Sequence, residues 1–137
     1  MKALYLVLIG KWYDMIESGE KPEEYRDITP YWLQRIFEMP IFEIPTIEED
    51  TQYISVDETT AQFYSNPKHF ELLREAIAKG VLRPRFKEVT FQRAYPKNPP
   101  RMTRPLIAVS VGRGNTQWGA IRNKNYIILK LETSYKQ

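Results

Sequence analysis

The sequence predicts an α+β fold in which a mixed β-sheet or small β-barrel is flanked by two to three α-helices. Three observations support this prediction. Helix-like and strand-like patterns alternate early in the chain. Three segments rich in β-branched and aromatic residues follow one another toward the end. A length of 137 residues with 42% hydrophobic content suits one hydrophobic core. We therefore expect a single domain over residues 1–137.

The first strand and the first helix are predicted from their apolar residues. Ala3 to Ile9 is continuously apolar, which predicts a strand covered on both sides. Trp12, Met15 and Ile16 follow at helical spacing, and Gly19 is placed to end the helix in a left-handed conformation.

Alternation predicts a second strand from Glu23 to Ile28. Glu24, Arg26 and Ile28 would share one face, with Tyr25 on the other. Thr29 would then cap a second helix, in which Pro30 suits the first position. The apolar face of that helix comprises Leu33, Ile36 and Phe37, and the helix should end before Pro40.

Residues 40–65 show poor periodicity and are predicted to form a variable, acidic, loop-rich insertion, with one possible short strand around Tyr53 to Val56. Asn66 and Pro67 begin a third predicted helix, which stops at Gly80. Three further strands are predicted, at 87–95, 106–111 and 126–131.

Composition excludes several classes of site and compartment. The chain contains no Cys, so disulfides, thiolate nucleophiles, thiolate zinc sites and iron–sulfur clusters are excluded. His69 is the only histidine, and we expect neither a metal nor a cofactor. The apolar run at 3–9 is too short to span a bilayer and lacks the features of a signal peptide. We therefore expect a cytoplasmic protein with no membrane partner.

Charge is distributed unequally between the two halves of the chain. Residues 1–66 contain 5 Lys or Arg and 13 Asp or Glu, whereas residues 67–137 contain 15 and 4. The most basic segment runs from Lys79 to Arg104 and has only Glu88 as an opposing charge. Such a segment indicates a polyanionic partner, or else a surface whose charge the acidic half neutralises.

Lys21, Glu24 and Arg26 are the first candidate site residues. Glu24 and Arg26 lie on one strand face, about 7 Å apart between Cα atoms, and Lys21 lies at the turn that enters the strand. In a cleft, Lys can act as a base, Glu can carry a proton and Arg can hold a phosphate. The alternative is an exposed strand with alternating charges.

Arg93 and Trp118 extend the candidate ligand-binding set. Arg93 shares a predicted strand face with apolar residues, so it either pairs with a carboxylate such as Glu24 or lines a ligand pocket. Trp118 lies in a loop bounded by Gly112 and Gly119, where it either fills the core or stacks on a nucleobase. The glycine spacing of this loop does not match a dinucleotide or P-loop fingerprint.

Gly19, Lys21, Glu24 and Arg26 reproduce all four positions of the Gly-x-Lys-x-x-Glu-x-Arg motif of the ASCH domain. The flanking segments 12–16, 28–32 and 117–120 also resemble small prokaryotic and phage ASCH proteins. The resemblance covers most of the chain outside residues 40–65. It implies a PUA-like small mixed β-barrel and a cleft, lined by the motif's charged side chains, that receives RNA or a nucleotide.

The same family contains enzymes, among them amidohydrolases that act on a modified cytidine and members that cut RNA. In the amidohydrolases a Thr nucleophile occupies the position that is Glu24 here. A carboxylate beside Lys21 favours an ion pair over activation of a nucleophile.

Three functions therefore remain open. In the first, the protein binds RNA or a nucleotide: Lys21 and Arg26 contact phosphate, Glu24 orients them or accepts from a base, Trp118 stacks and Arg93 extends the site. In the second, it is a hydrolase acting on a modified nucleoside or on RNA, with Lys21 and Glu24 as catalytic residues. The third is a protein-interaction domain of phage or mobile-element origin. Oligomeric state is not predicted.

Overall fold

The computed structural model describes residues 3–38 and 66–133. In chain order its elements are β1 (Leu4–Leu8), α1 (Gly10–Ser18), β2 (Glu23–Asp27), α2 (Pro30–Ile36), β3 (Phe37–Glu38), α3 (Pro67–Ala78), β4 (Arg83–Pro84), β5 (Glu88–Arg93), β6 (Arg101–Arg113), a 3-10 turn (Thr116–Trp118) and β7 (Asn125–Leu131). The predicted insertion at 40–65, with its possible strand at Tyr53 to Val56, lies outside the described residues.

A curled, five-stranded sheet forms the centre of the fold, with the strand order β1-β5-β6-β7-β2. β1 runs parallel to β5, and the other neighbours are antiparallel. The sheet is a half-barrel accompanied, in the described ranges, by three helices, which confirms the prediction of a mixed α+β fold resembling a small barrel. β3 and β4 form a separate two-stranded ribbon.

β6 joins the two halves of the curled sheet. The first part of β6 pairs with β5, and the last pair is Pro105 of β6 with Glu88 of β5. The pairing of β6 with β7 begins at Leu106. A register irregularity follows between Leu106 and Ala108. Pro105 has no N–H to donate, and it lies where the strand changes partner, a position at which proline costs little. β6 is thus longer than the predicted strand at 106–111.

Local sequence signals set the helix ends as predicted. Gly19 ends α1 with φ of 89°, and its N–H donates to the Ile16 carbonyl. The Thr29 hydroxyl accepts from the Trp32 N–H at 3.3 Å, and Pro30 takes the first position of α2. α2 ends one residue earlier than its apolar pattern predicted, because Phe37 is extended and pairs in β3.

The main hydrophobic core lies between the concave side of the sheet and the helices. Leu4, Leu6 and Leu8 of β1 point into it, together with residues of all three helices. Tyr5 of β1 is 42% exposed, so the prediction that this strand is covered on both sides is wrong. The reason is that alternate residues of β1 face the core, and the other face of the strand, which carries Tyr5, is not covered in the same way.

A second, smaller cluster lies on the opposite face of β2 and β7. It consists of Tyr25, Ala120, Tyr126 and Ile128, with Trp118 packed against it. Tyr25 therefore lies on the face opposite Glu24, as its position in the alternation predicts.

None of the helices in residues 3–38 and 66–133 combines the length and the apolar character that a membrane span requires.

Candidate functional site

A cavity of about 280 Å³ lies between the two ends of the curled sheet. One wall comes from the end of β1 and the start of α1, and the opposite wall comes from β2. Because β1 and β2 are the two end strands of the sheet, the cavity occupies the gap left by incomplete closure of the barrel. The lining residues are Val7, Leu8, Ile9, Trp12, Glu24, Tyr25, Arg26, Trp118, Gly119 and Tyr126.

The three charged residues of the 19–26 segment form one ion-pair network beside this cavity. Lys21 Nζ lies 2.7 Å from Glu24 Oε1, and Arg26 Nη2 lies 3.1 Å from Glu24 Oε2. The local fold fixes these positions, because the Lys21 N–H donates to the Met15 carbonyl at the end of α1 and β2 then pairs with β7. The structure thus brings together the three side chains that the sequence singled out.

Lys21 is the most deeply buried member of the network. It is 1% exposed, and its ammonium also donates to the Glu23 carbonyl. The same ammonium lies 5.1 Å from the centre of the Tyr25 ring and 5.9 Å from that of Trp12. Burial lowers the pKa of Lys21, and the contact with Glu24 opposes this shift. Lys21 does not line the cavity itself, but its contacts Glu24, Tyr25 and Trp12 do.

Glu24 connects the buried cation to the cavity. Its side chain is 9% exposed and lines the cavity wall. An ionised carboxylate has about four acceptor positions, of which Lys21 and Arg26 each occupy one. The remaining positions give Glu24 the capacity to accept a hydrogen bond from a donor inside the cavity.

Arg26 is held between Glu24 and an aromatic ring. Its guanidinium carbon lies 5.0 Å from the centre of the Trp32 ring, within the range of a cation–π contact. Its side chain is 20% exposed and lines the cavity. Arg26 Nε is buried and has no hydrogen-bond partner among the described residues. Arg26 is therefore the motif cation that a ligand can contact directly.

Trp118 is positioned by a network of hydrogen bonds around its turn. The Asn115 side chain caps the turn by accepting from the Gln117 N–H at 2.8 Å. The Asn115 N–H donates to the Tyr25 hydroxyl at 2.9 Å, and that hydroxyl donates to Glu23 Oε1 at 2.8 Å. β2 and the Trp118 turn are thereby joined, so the aromatic wall of the cavity is preorganised.

Burial raises the pKa of Tyr25 well above its usual value, with a further contribution from Glu23. Its phenol therefore stays protonated at neutral pH and keeps its donor role toward Glu23.

Three aromatic lining residues were missed as site residues by sequence reasoning: Trp12, Tyr25 and Tyr126. Alternation places Tyr25 on the strand face opposite Glu24, away from the predicted charged cleft. It still reaches the site, because the cavity follows the free edge of β2 and is open to side chains from both faces. Their aromatic character was visible in the sequence, but nothing local indicated that the sheet curls enough to bring them together.

Arg93 pairs with a carboxylate, which is one of the two predicted alternatives, but it is more exposed than its place on an apolar strand face indicated. Its side chain is 41% exposed and pairs with Asp14 of α1, with both nitrogen–oxygen distances at 3.0 Å. It lies at the end of β5, where the strand leaves the core, and so reaches the surface. Its partner is Asp14 rather than Glu24, and Arg93 is not a lining residue of the cavity.

Several cations of the basic segment from Lys79 to Arg104 are held by contacts within the protein. Lys79 pairs with Glu75, Arg85 Nε donates to the Gln34 carbonyl at 2.9 Å, and Arg101 Nε donates to the Tyr5 hydroxyl at 2.8 Å. Arg104 is 6% exposed. The segment therefore does not form a single uninterrupted patch of solvent-exposed cations.

Among the described residues, no group of three or more His, Asp or Glu side chains is arranged to hold a metal ion. Searches against protein-family models, curated proteins and solved structures found no match to this chain. The resemblance to the ASCH domain therefore rests on the motif and its flanking segments alone.

Proposed function

We propose that this protein binds a nucleotide or a single-stranded RNA segment by holding one base in the cavity between β1 and β2. The proposal depends on one observation: aromatic rings and the Glu24–Arg26 pair line the same cavity. Aromatic rings stack on any base. A carboxylate accepts from base amino groups, and a guanidinium binds phosphate.

Each side chain has a distinct role in this proposal. Trp118 supplies a stacking surface, and Glu24 accepts a hydrogen bond from the edge of the base. Arg26 contacts phosphate. Lys21 acts indirectly, since it lies behind Glu24 and fixes the orientation of the carboxylate. This differs from the role predicted from sequence, in which Lys21 itself contacts phosphate.

The dimensions of the cavity favour a small ligand group. Ligand pockets commonly measure about 300–1,000 Å³. At about 280 Å³ the cavity lies just below this range, which suits one base rather than a duplex. The burial of Lys21 also supports binding over turnover, because a catalytic base must come within hydrogen-bond reach of its substrate.

Binding can be tested by fluorescence anisotropy with labelled octaribonucleotides rA8, rC8 and rU8, and with the four ribonucleoside 5′-monophosphates as competitors. We expect Trp118→Ala to weaken binding about 5- to 150-fold, which corresponds to the loss of one stacked base. Affinity for the octamers should fall with salt, at a log–log slope of about −0.7 per contacted phosphate.

Tyr95→Ala is the matched control, because Tyr95 is 83% exposed and does not line the cavity. It should bind as the wild type does. An affinity that is independent of salt, combined with unchanged binding by Trp118→Ala, would refute the proposal.

A further inference from the structure

A run of two aromatic side chains between two arginines leads from the cavity onto α2. Arg26 lies on the Trp32 ring, Trp32 contacts Tyr31 edge to face with ring centres 4.9 Å apart, and the Arg35 guanidinium carbon lies 5.2 Å from the centre of the Tyr31 ring. We call these four residues the arginine–aromatic ladder. One end of the ladder, Arg26, belongs to the cavity wall.

Exposure increases along the ladder away from the cavity. Arg26 is 20% exposed and Trp32 is half-buried, whereas Tyr31 is 59% exposed and Arg35 is exposed. Burial of Trp32 against the core accounts for its own position, but the core gains little from a tyrosine that is more than half exposed. Tyr31 and Arg35 are thus available to a molecule that extends beyond the cavity.

The local charge at the far end of the ladder is positive. Arg35 lies in the last turn of α2, and Arg85 donates to the Gln34 carbonyl beside it. Arg83 follows in β4, where it is exposed. Among the described residues of this region, the carboxylate of Glu38 opposes these cations, and Glu38 pairs in register with Arg83. Two cations of the basic segment, Arg83 and Arg85, therefore contact the end of α2 or the strand that follows it.

Resting on the proposed function, we infer that the ligand is a single-stranded polynucleotide rather than a free nucleotide. One base enters the cavity and the neighbouring base stacks on Tyr31. Arg35 contacts a backbone phosphate, either the one that joins these two nucleotides or the next one along the strand. Aromatic platforms interleaved with cations are the arrangement that binds single strands without reading their sequence. A mononucleotide would use the cavity alone and leave Tyr31 and Arg35 unoccupied.

The test compares two ligand lengths on three variants. The ligands are adenosine and uridine 5′-monophosphates and the octamers rA8 and rU8, and the variants are Tyr31→Ala, Arg35→Gln and Trp118→Ala. We expect Tyr31→Ala to weaken octamer binding about 5- to 150-fold and to leave the monophosphates unchanged. Arg35→Gln should reduce the salt slope of octamer binding by about 0.7. Trp118→Ala should weaken the binding of both the monophosphates and the octamers.

Tyr95→Ala and Arg74→Gln are the matched controls, since both side chains are exposed and lie outside the ladder and the cavity. If Tyr31→Ala binds octamers within twofold of the wild type while Trp118→Ala is impaired, the ladder inference fails and the proposed function stands. If neither octamers nor monophosphates bind the wild type, both fail. Displacement of rA8 by an octaglutamate peptide at equal concentration would also overturn the inference, since the ladder would then recognise negative charge alone.

Discussion

Glu24→Gln should destabilise the fold more than any other single replacement in the ion-pair network. Gln keeps the shape of Glu and one carbonyl oxygen, but it removes the negative charge between Lys21 and Arg26. In the wild type, Arg26 Nη2 lies 3.1 Å from Glu24 Oε2 and Lys21 Nζ lies 2.7 Å from Oε1. The amide NH₂ of Gln would replace one of these two oxygens, so a donor would face either Arg26 or Lys21. Both cations then lie close together without the carboxylate that compensates them.

The expected magnitude follows from burial. Removing one partner of a buried ion pair typically costs about 3–5 kcal/mol, because an uncompensated charge remains. Lys21 is 1% exposed, so Glu24→Gln should fall in this range. Lys21→Met should cost less, since Glu24 keeps its contact with Arg26. Arg26→Gln should cost least, because the arginine side chain is 20% exposed and the Lys21–Glu24 pair survives.

Urea unfolding followed by circular dichroism, with linear extrapolation to water, measures these free energies. The double variant Lys21→Met with Glu24→Gln provides the internal control. If the cost of Glu24→Gln arises from the stranded Lys21 charge, the double variant should be more stable than the sum of the single effects predicts, by about 0.5–3 kcal/mol. The reasoning is refuted if Glu24→Gln lies within about 1 kcal/mol of the wild type, or if the two changes are additive.

Two further predictions concern the rim of the site and its surroundings. Gly119 has φ of +100°, and a Cβ there would lie 3.1 Å from the Trp12 ring, so Gly119→Ala should destabilise the fold and weaken rA8 binding. Gly80→Ala is its control in the same unfolding and binding assays, since Gly80 has φ of +79° with no atom within 4 Å of the added Cβ. This variant should show only the backbone cost of about 1–2 kcal/mol. If Gly80→Ala also lost rA8 binding, the steric argument for Gly119 would be contradicted. The hydrogen bond from Arg93 lowers the pKa of Asp14 below 3.8, so this pair stabilises the fold above that pH and its contribution is lost as the pH falls through the lowered value. Arg93→Gln should return the Asp14 pKa toward 3.8 in an NMR titration, and an unchanged value would show that the contact does not persist in solution.

The parts of the fold that sequence predicted well are those encoded by neighbouring residues. Thr29 with Pro30, and Asn66 with Pro67, mark helix starts because a cap acts within one turn. The ends of β6 were not predicted, since they depend on pairing with β5 and β7, far apart in the chain. β3 and β4 were missed because two residues in each strand are too few to produce a periodic pattern.

The candidate site shows the same division between local and distant information. The spacing of Lys21, Glu24 and Arg26 indicated that the three charges could converge, because it is set by one turn and one strand. The exposure of each side chain depends on what covers it from elsewhere in the fold. The alternation of residues along a strand therefore does not predict that Lys21 is buried behind Glu24. It also does not predict that Arg93 reaches the surface and pairs with Asp14.

The burial of Lys21 also bears on why a charged network lies in this position. Replacing a buried ion pair by apolar residues of similar volume is often neutral or stabilising, so stability alone does not account for the network. What an apolar replacement would not provide is a carboxylate held in a fixed orientation at the wall of a cavity. Lys21 fixes one oxygen of Glu24 and Arg26 fixes the other, and the carboxylate held in this way lines the cavity. The cost of burying Lys21 is thus better explained by the fixed orientation of Glu24 at the cavity wall, which the proposed function requires, than by the stability of the fold.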